Sequence, residues 1–109
     1  MNFDYRKVTA IVHPSRLKHV EEALKEHCVH GLTVSEVCGY GEHPNYFDED
    51  WKMPYSRLEL FVLAEEAENL AEIIMKAAHT GVESNGIVAI LPVEAVYKTR
   101  TQTRLGDEK

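Results

Sequence analysis

Two stretches with helical spacing of apolar residues divide this chain, and they constrain its fold more than any other feature. The first is predicted from about 15 to 28 and the second from about 65 to 78. In each stretch apolar residues recur every three or four positions, which places them on one face of a helix. Each helix therefore needs an apolar surface to pack against. The apolar positions are Leu17, Val20, Ala23, Leu24 and Cys28 in the first stretch, and Ala67, Leu70, Ala71, Ile74, Met75 and Ala78 in the second.

Runs rich in β-branched and other apolar residues flank both helices. They span about 6–13, 32–40, 56–64 and 87–91, and this composition favours strands. The resulting order is strand, helix, strand, strand, helix, strand. It predicts an α+β fold, a ferredoxin-like βαββαβ sandwich with a four-stranded antiparallel sheet and two helices on one face. The 109 residues fit one domain, 1–109.

The sheet face opposite the helices has no covering layer in such a fold. The second, third and fourth strands carry apolar residues that fall on both sides of the sheet. We therefore expect the uncovered face to pack on copies of the same chain, which predicts an oligomer. The apolar positions are Val34, Val37, Leu58, Leu60, Phe61, Val88 and Ile90.

Local features around the first helix lead to four further expectations. Ser15 is placed to act as its N-cap, and Gly31 can take the left-handed backbone that often follows a helix. Cys28 is expected in the core. Cys28 and Cys38 form no Cys-x-x-Cys pair and the chain shows no export signal, so both are predicted to be reduced thiols.

The net charge of −6 limits the partners that this chain can attract. Nonspecific binding to nucleic acid depends on neutralising phosphates with Lys and Arg, so nucleic acid is not a predicted partner. No apolar run reaches the roughly 18 residues of a membrane span, and no secretory apolar region begins the chain. A cytoplasmic location is therefore expected.

Basic residues gather near the C-terminus instead. Lys98, Arg100 and Arg104 form a local patch that can hold a small anion within an acidic chain. We expect a turn of helix over 93–97 and an extended edge over 98–103.

A long connector joins the second and third predicted strands. Most connections in compact domains have about four to six residues, and much longer ones are usually functional or disordered. This connector carries Tyr46, Phe47, Trp51 and Tyr55, residue types that are common at contact surfaces. Two readings stay open: the aromatic residues Tyr46, Phe47 and Trp51 anchor a partner protein, or they fold back over their own assembly.

Seven short motifs follow one another along nearly the whole chain: Ala10-Ile-Val-His-Pro, Gly31-Leu-Thr-Val-Ser-Glu-Val, Gly39-Tyr-Gly41, Arg57-Leu-Glu-Leu, Ala77-Ala-His-Thr-Gly81, Leu91-Pro-Val-Glu and Lys98-Thr-Arg-Thr. In their order and spacing the chain resembles a divergent member of the PII (nitrogen regulatory P-II) signal-transduction family. The resemblance implies a homotrimer with a protruding T-loop at about 42–55, a B-loop at 80–87 and a C-terminal extension at 98–109. It also implies adenine-nucleotide sites in the clefts between subunits.

The nucleotide-binding residues follow from the same resemblance. A glycine-rich turn offers backbone N–H groups to phosphates, and basic side chains of the neighbouring subunit add charge. The residues implied are Thr33, Gly39, Gly41, Glu59, Thr80, Gly81, Ser84, Asn85, Gly86, Lys98 and Arg100.

Two departures from the family pattern change the expected ligand. Ile87 and Val82 stand where such B-loops usually carry basic residues, and Glu83 adds a negative charge nearby. Each lost charge-assisted contact costs roughly 1.5–3 kcal/mol, so ADP or AMP is expected rather than ATP, with an empty site as the alternative. His43 and Tyr55 replace the glutamine and lysine associated with 2-oxoglutarate, so 2-oxoglutarate sensing is not predicted.

The function predicted is noncatalytic sensing. A small effector binds between subunits, and the loop transmits the result to a target protein, a membrane transporter being expected. No side chains resemble a nucleophile with its base, so the chain is not predicted to be an enzyme. One alternative is a metal-binding trimer of the CutA-like or metal-efflux-associated kind, with His43 and the acidic loop residues as ligands. Another is a structural adaptor that has lost its ligand.

Overall fold

A computed structural model describes residues 4–29, 31–39, 53–79 and 86–105. Its order of elements follows the predicted alternation, with an added short hairpin at the C-terminal end. The elements are β1 (Tyr5–Val12), a 3-10 turn (Pro14–Arg16), α1 (Leu17–Glu26), β2 (Thr33–Gly39), β3 (Met53–Leu63), α2 (Ala64–Ala78), β4 (Ile87–Pro92), β5 (Tyr97–Lys98) and β6 (Thr103–Arg104).

The four long strands form one antiparallel sheet in the order β2-β3-β1-β4. The two central strands are β3 and β1, paired so that Thr9 lies opposite Glu59 and Ala10 opposite Leu58. α1 and α2 pack against each other, and α2 also contacts β1, β3 and β4. These features confirm the ferredoxin-like α+β fold.

The core lies between the helices and one face of this sheet, which we call the helix face. Alternate residues of the central strands are buried there, as the period of two in a strand requires. They meet the buried residues of the helices in one cluster: Val8, Ala10 and Val12 from β1, Leu58, Leu60 and Val62 from β3, Val20 and Leu24 from α1, and Ala67, Leu70 and Ile74 from α2.

The opposite face is called the open face below. Of the seven apolar strand positions named from sequence, only Val37 and Phe61 lie on it, because the register pairs Val34, Val88 and Ile90 with helix-face partners. Further apolar residues on this face include Ile11, Ile87 and Leu91. Phe61 is 52% exposed and Ile87 60% exposed within this chain.

The start of α1 differs from the expectation. The chain first makes a 3-10 turn over Pro14–Arg16, and the α-helix begins at Leu17. Ser15 therefore lies inside that turn instead of capping the helix. The residue before the turn, His13, takes the capping role: its Nδ1 accepts a hydrogen bond from the backbone N–H of Ser15 at 3.2 Å.

The end of α1 also corrects two expectations. The helix ends at Glu26, and the left-handed backbone belongs to Cys28, with φ of 62°, not to Gly31. Cys28 is exposed instead of lying in the core. The backbone N–H groups of His27 and Cys28 donate to the carbonyl oxygens of Leu24 and Lys25, and this turn ends the helix before Cys28.

Strand pairing makes two element boundaries differ from those predicted from the sequence. β3 begins at Met53, opposite Gly39 of β2, so Met53–Tyr55 belong to the sheet and not to the expected 42–55 loop. At the other end, residues 93–97 make no helical turn, and 98–103 is not a single extended edge. The chain instead forms a hairpin in which Tyr97 pairs with Arg104 and Lys98 with Thr103.

Candidate functional site

A row of polar residues crosses the open face of the sheet. The register aligns Thr33 of β2 with Glu59 of β3, Glu59 with Thr9 of β1, and Thr9 with Ala89 of β4. Directly paired residues point to the same side of a sheet. The structure thus brings together Thr33 and Glu59, two of the residues implied by the family resemblance.

Glu59 lies at the centre of an ion-pair cluster. Its Oε2 pairs with Nζ of Lys7, and its Oε1 lies 3.3 Å from Nε of Arg57. The hydrogen bond from Lys7 is the main reason that the pKa of Glu59 falls below its usual value; partial desolvation opposes this, and the charges of Lys7 and Arg57 add to the lowering. Glu59 is therefore held as a carboxylate between two cations.

Sequence reasoning missed Lys7 and Arg57. The alternation of Arg57 and Glu59 along one strand was a signal, since residues two apart share a face. Lys7 had no such signal, because only the pairing of β1 with β3 brings it beside Glu59.

A cavity of about 400 Å³ opens at the end of β3 where α2 begins. Gly31 and Phe61 line it, together with His27, Glu66 and Asn69. Phe61 belongs to the open face and Gly31 precedes Thr33 by two residues. Two of the cavity's lining residues, Gly31 and Phe61, thus lie two positions along the chain from Thr33 and Glu59 of the polar row.

A second cavity of about 250 Å³ lies at the opposite end of the sheet. Gly86, a predicted phosphate-binding residue, lines it beside Ile11, Ile87, His13 and His79.

The end of α2 at this cavity is fixed by Arg16, whose Nε and Nη2 donate to the carbonyl oxygen of Ala77 at 3.0 and 2.8 Å. A cation at a helix C-terminus complements the helix dipole.

Lys98 and Arg100, also predicted site residues, lie on the C-terminal hairpin and are exposed. Arg104 donates to the carbonyl of Glu94 at 3.2 Å, and the backbone N–H of Leu105 donates to Val96 at 2.8 Å. Within the described residues these bonds hold the hairpin to its own neighbouring segment. In the part of the chain that the structure describes, no hydrogen bond joins Lys98 or Arg100 to Thr33 or Glu59.

Gly39 is the last residue of β2, opposite Met53. Several other predicted residues lie outside the described ranges: Gly41, His43, Tyr46, Phe47, Trp51, Thr80, Gly81, Ser84 and Asn85. In the portion that the structure describes, no three His, Cys, Asp or Glu side chains are grouped to hold a metal ion. Neither of the described α-helices is long and apolar enough to cross a membrane.

Comparison with known proteins gives a consistent assignment. A family model described as nitrogen regulatory protein P-II matches residues 5–103. The nitrogen regulatory protein P-II of Azospirillum brasilense is 33% identical, covering 94% of this chain and 97% of the relative. Nitrogen regulatory protein GlnK2 of Haloferax mediterranei is 36% identical, covering 86% and 82%.

The fold comparison agrees with the sequence comparison. The crystal structure of Arabidopsis thaliana PII bound to citrate superposes with a TM-score of 0.81 at 33% identity, covering 94% of this chain and 89% of that one. The similarity thus extends through the sheet, both helices and most of the sequence. This chain belongs to the nitrogen regulatory protein P-II family.

Proposed function

We propose that this protein is a trimeric regulator that binds an adenine nucleotide between its subunits and acts on a target protein, a membrane transporter, from the cytoplasm. A regulatory role follows from the family to which the chain belongs. The observation that carries the ligand proposal is the pairing of Thr33 with Glu59 on the open face, two residues along β3 from the exposed Phe61, which lines the 400 Å³ cavity.

Two features support the trimer: apolar residues that are exposed in a single chain, and a C-terminal hairpin that has no neighbouring strand in the described part of the chain. Phe61 and Ile87 are more than half exposed on the open face, and burial of apolar surface drives association. The C-terminal hairpin is a two-stranded sheet by itself, and such hairpins are marginally stable in water. Packing of three copies would cover the open faces and support each hairpin against a neighbour.

The same arrangement gives the nucleotide a place. An adenine ring can stack on Phe61, and the hydroxyl of Thr33 can hydrogen-bond to the ribose or base. Lys98 and Arg100 on the exposed hairpin would approach the phosphates from the neighbouring copy, beside Gly86. ADP or AMP is proposed over ATP, because Ile87 offers no countercharge at the start of β4.

Isothermal titration with AMP, ADP and ATP tests the ligand proposal, using Thr33→Val with Thr9→Val as the matched control. Both threonines lie in the same open-face row, but Thr33 is two residues from Gly31, which lines the cavity, whereas the nearest lining residue along β1 from Thr9 is Tyr5, four residues away. Loss of one hydrogen bond costs roughly 0.5–1.5 kcal/mol, so Thr33→Val is expected to weaken ADP binding about twofold to tenfold, whereas Thr9→Val is expected to leave it unchanged. Absence of binding by the unaltered protein at millimolar nucleotide would refute the proposal.

Sedimentation velocity tests the assembly separately. Phe61→Glu places a charge on the open face and is expected to shift the protein from a trimer toward the 12.4 kDa monomer. Lys18→Glu is the control, since Lys18 is exposed on α1, on the other side of the sheet. A monomeric unaltered protein would contradict the proposal.

The target proposal rests on the aromatic residues Tyr46, Phe47 and Trp51, which lie outside the described residues. Crosslinking of intact cells before membrane isolation tests it. The protein is expected to be recovered with a transporter, and Trp51→Ala is expected to reduce that recovery. Recovery equal to that of the unaltered protein would favour the reading in which these residues pack on their own assembly.

A further inference from the structure

Arg57 is a cation on the open face, and only part of its guanidinium has an interaction partner within the described residues. Its side chain is 44% exposed, and it pairs with Glu59 through Nε. Among the described residues, this ion pair is the one interaction of the Arg57 side chain, so neither of its Nη groups has a partner there. Since guanidinium Nη groups suit the oxygens of a phosphate, Arg57 retains the donors that recognise phosphate.

Lys7 stabilises the position of this guanidinium. It pairs with the other oxygen of Glu59, so the carboxylate is shared between Lys7 and Arg57. Two cations and one anion leave the cluster with a net charge of +1. A guanidinium already fixed by a carboxylate loses less side-chain freedom when it binds an anion, which favours binding.

The register places Arg57 level with the second cavity. It lies opposite Ile11, which in turn lies opposite Ile87. Adjacent strands are about 4.8 Å apart, so the backbones of Arg57 and Ile87 are separated by roughly 10 Å. Ile11 and Ile87 both line the cavity that contains Gly86. Arg57 is therefore in the same cross-strand row as Ile87, which stands where the family pattern usually has a basic residue.

We propose that Arg57 is a specificity-determining residue that contacts the phosphates of the bound nucleotide and replaces the countercharge absent at Val82 and Ile87. This inference rests on the proposed function. Glu59 and Lys7 act as positioning residues in it, because they hold the guanidinium through Nε. The ligand class is a nucleoside mono- or diphosphate, and the unphosphorylated nucleoside gains nothing from Arg57.

Titration of ADP and adenosine into the unaltered protein, Arg57→Gln and Arg57→Lys tests this role. Arg57→Gln is expected to weaken ADP binding at least tenfold and to leave adenosine binding unchanged. Arg57→Lys keeps the charge and is expected to recover part of the ADP affinity. Arg6→Gln is the matched control, since Arg6 also lies on the sheet but bonds only to the neighbouring Tyr5 carbonyl at 2.8 Å among the described residues.

The possible results are distinguishable. Unchanged ADP affinity in Arg57→Gln, or equal weakening of ADP and adenosine, would overturn the role of Arg57 while leaving the proposed function intact. ADP affinity in Arg57→Lys no better than in Arg57→Gln would overturn the role of its charge. Failure of the unaltered protein to bind ADP would overturn both proposals together.

Discussion

The two faces of β3 differ sharply although they are built from alternate residues of the same strand. On the helix face, Leu58, Leu60 and Val62 are buried against α1 and α2. On the open face, Arg57 and Glu59 form ion pairs and Phe61 is 52% exposed. The helix face is completed by the chain itself, whereas the open face combines exposed apolar surface with polar groups suited to a ligand or another copy.

This difference separates the roles of fold and function. A closed core tolerates little change, because interiors are packed at the density of organic crystals. An exposed sheet face has no such packing constraint, so its residues can change to suit a ligand or another copy of the chain. Stability is therefore expected to reside on the helix face and recognition on the open face.

The largest effect is expected from Leu58→Ala. Leu58 is 0% exposed in the core cluster, so its truncation leaves a cavity and is expected to lower the free energy of unfolding by about 2–5 kcal/mol. Urea denaturation followed by circular dichroism measures it. Phe61→Ala is the comparison on the open face, where the loss is expected to act through assembly and thus to vary with protein concentration.

The expected difference between the two faces would be contradicted if Phe61→Ala destabilised the dissociated chain as much as Leu58→Ala does. That result would place Phe61 in the core of the single chain. Measuring unfolding at several concentrations, down to those at which the assembly dissociates, distinguishes the two cases.

An intermediate effect is expected in the turn after α1, beside the cavity that borders both faces. Cys28 has φ of 62°, a conformation that costs a side chain about 1 kcal/mol, so Cys28→Gly is expected to stabilise the chain by up to that amount. Gly31 lacks a positive φ, and a Cβ there meets nothing within 4 Å. Gly31→Ala is therefore expected to raise stability by about 0.4–1 kcal/mol through the unfolded chain.

Thermal unfolding of both variants checks this assignment. If Gly31→Ala destabilised the chain and Cys28→Gly did not stabilise it, the residue with the left-handed backbone would be Gly31, as expected from the sequence. The open face would be unaffected in either case.

The smallest effect is expected from the ion pairs of the open face, because solvent screens them. The lowered pKa of Glu59 means that its contribution is present above its unfolded-state pKa and is lost as the pH falls through its folded-state pKa, below 4.5. Glu59→Gln should therefore lose less stability on acidification through this range than the unaltered protein. Denaturation midpoints at pH 3 to 7 measure the difference.

Titration of the Glu59 carboxyl by NMR sharpens the same point. Lys7→Met is expected to raise the pKa of Glu59 toward its usual value, because the hydrogen bond from Lys7 is the principal cause of the lowering. An unchanged pKa would show that Lys7 does not hold this carboxylate in solution.

Much of the fold was predictable because periodicity is a local property. The spacing in 65–78 matched α2 closely, and the strand patterns predicted the order of strands and helices along the chain. The end of α1 was less predictable, since Gly31 favours a left-handed backbone more than Cys28 does, yet the turn bonds of His27 and Cys28 to the last turn of the helix decide where the chain leaves it.

The candidate site divides in the same way. Thr33 and Glu59 were named through the family resemblance, and pairing of β2 with β3 places them opposite each other. Lys7 and Arg57 were missed because an ion pair across strands depends on register. The expected 42–55 loop was too long at its end, since pairing with β2 extends β3 back to Met53.

The sequence by itself determined the alternation of strands and helices, the acidic balance and the family, because these depend on residue type and spacing along the chain. Tertiary structure alone decided which side chains meet on the open face. The reason is physical: contacts between strands are set by their register, and a shift of one residue would turn Glu59 from the open face into the core.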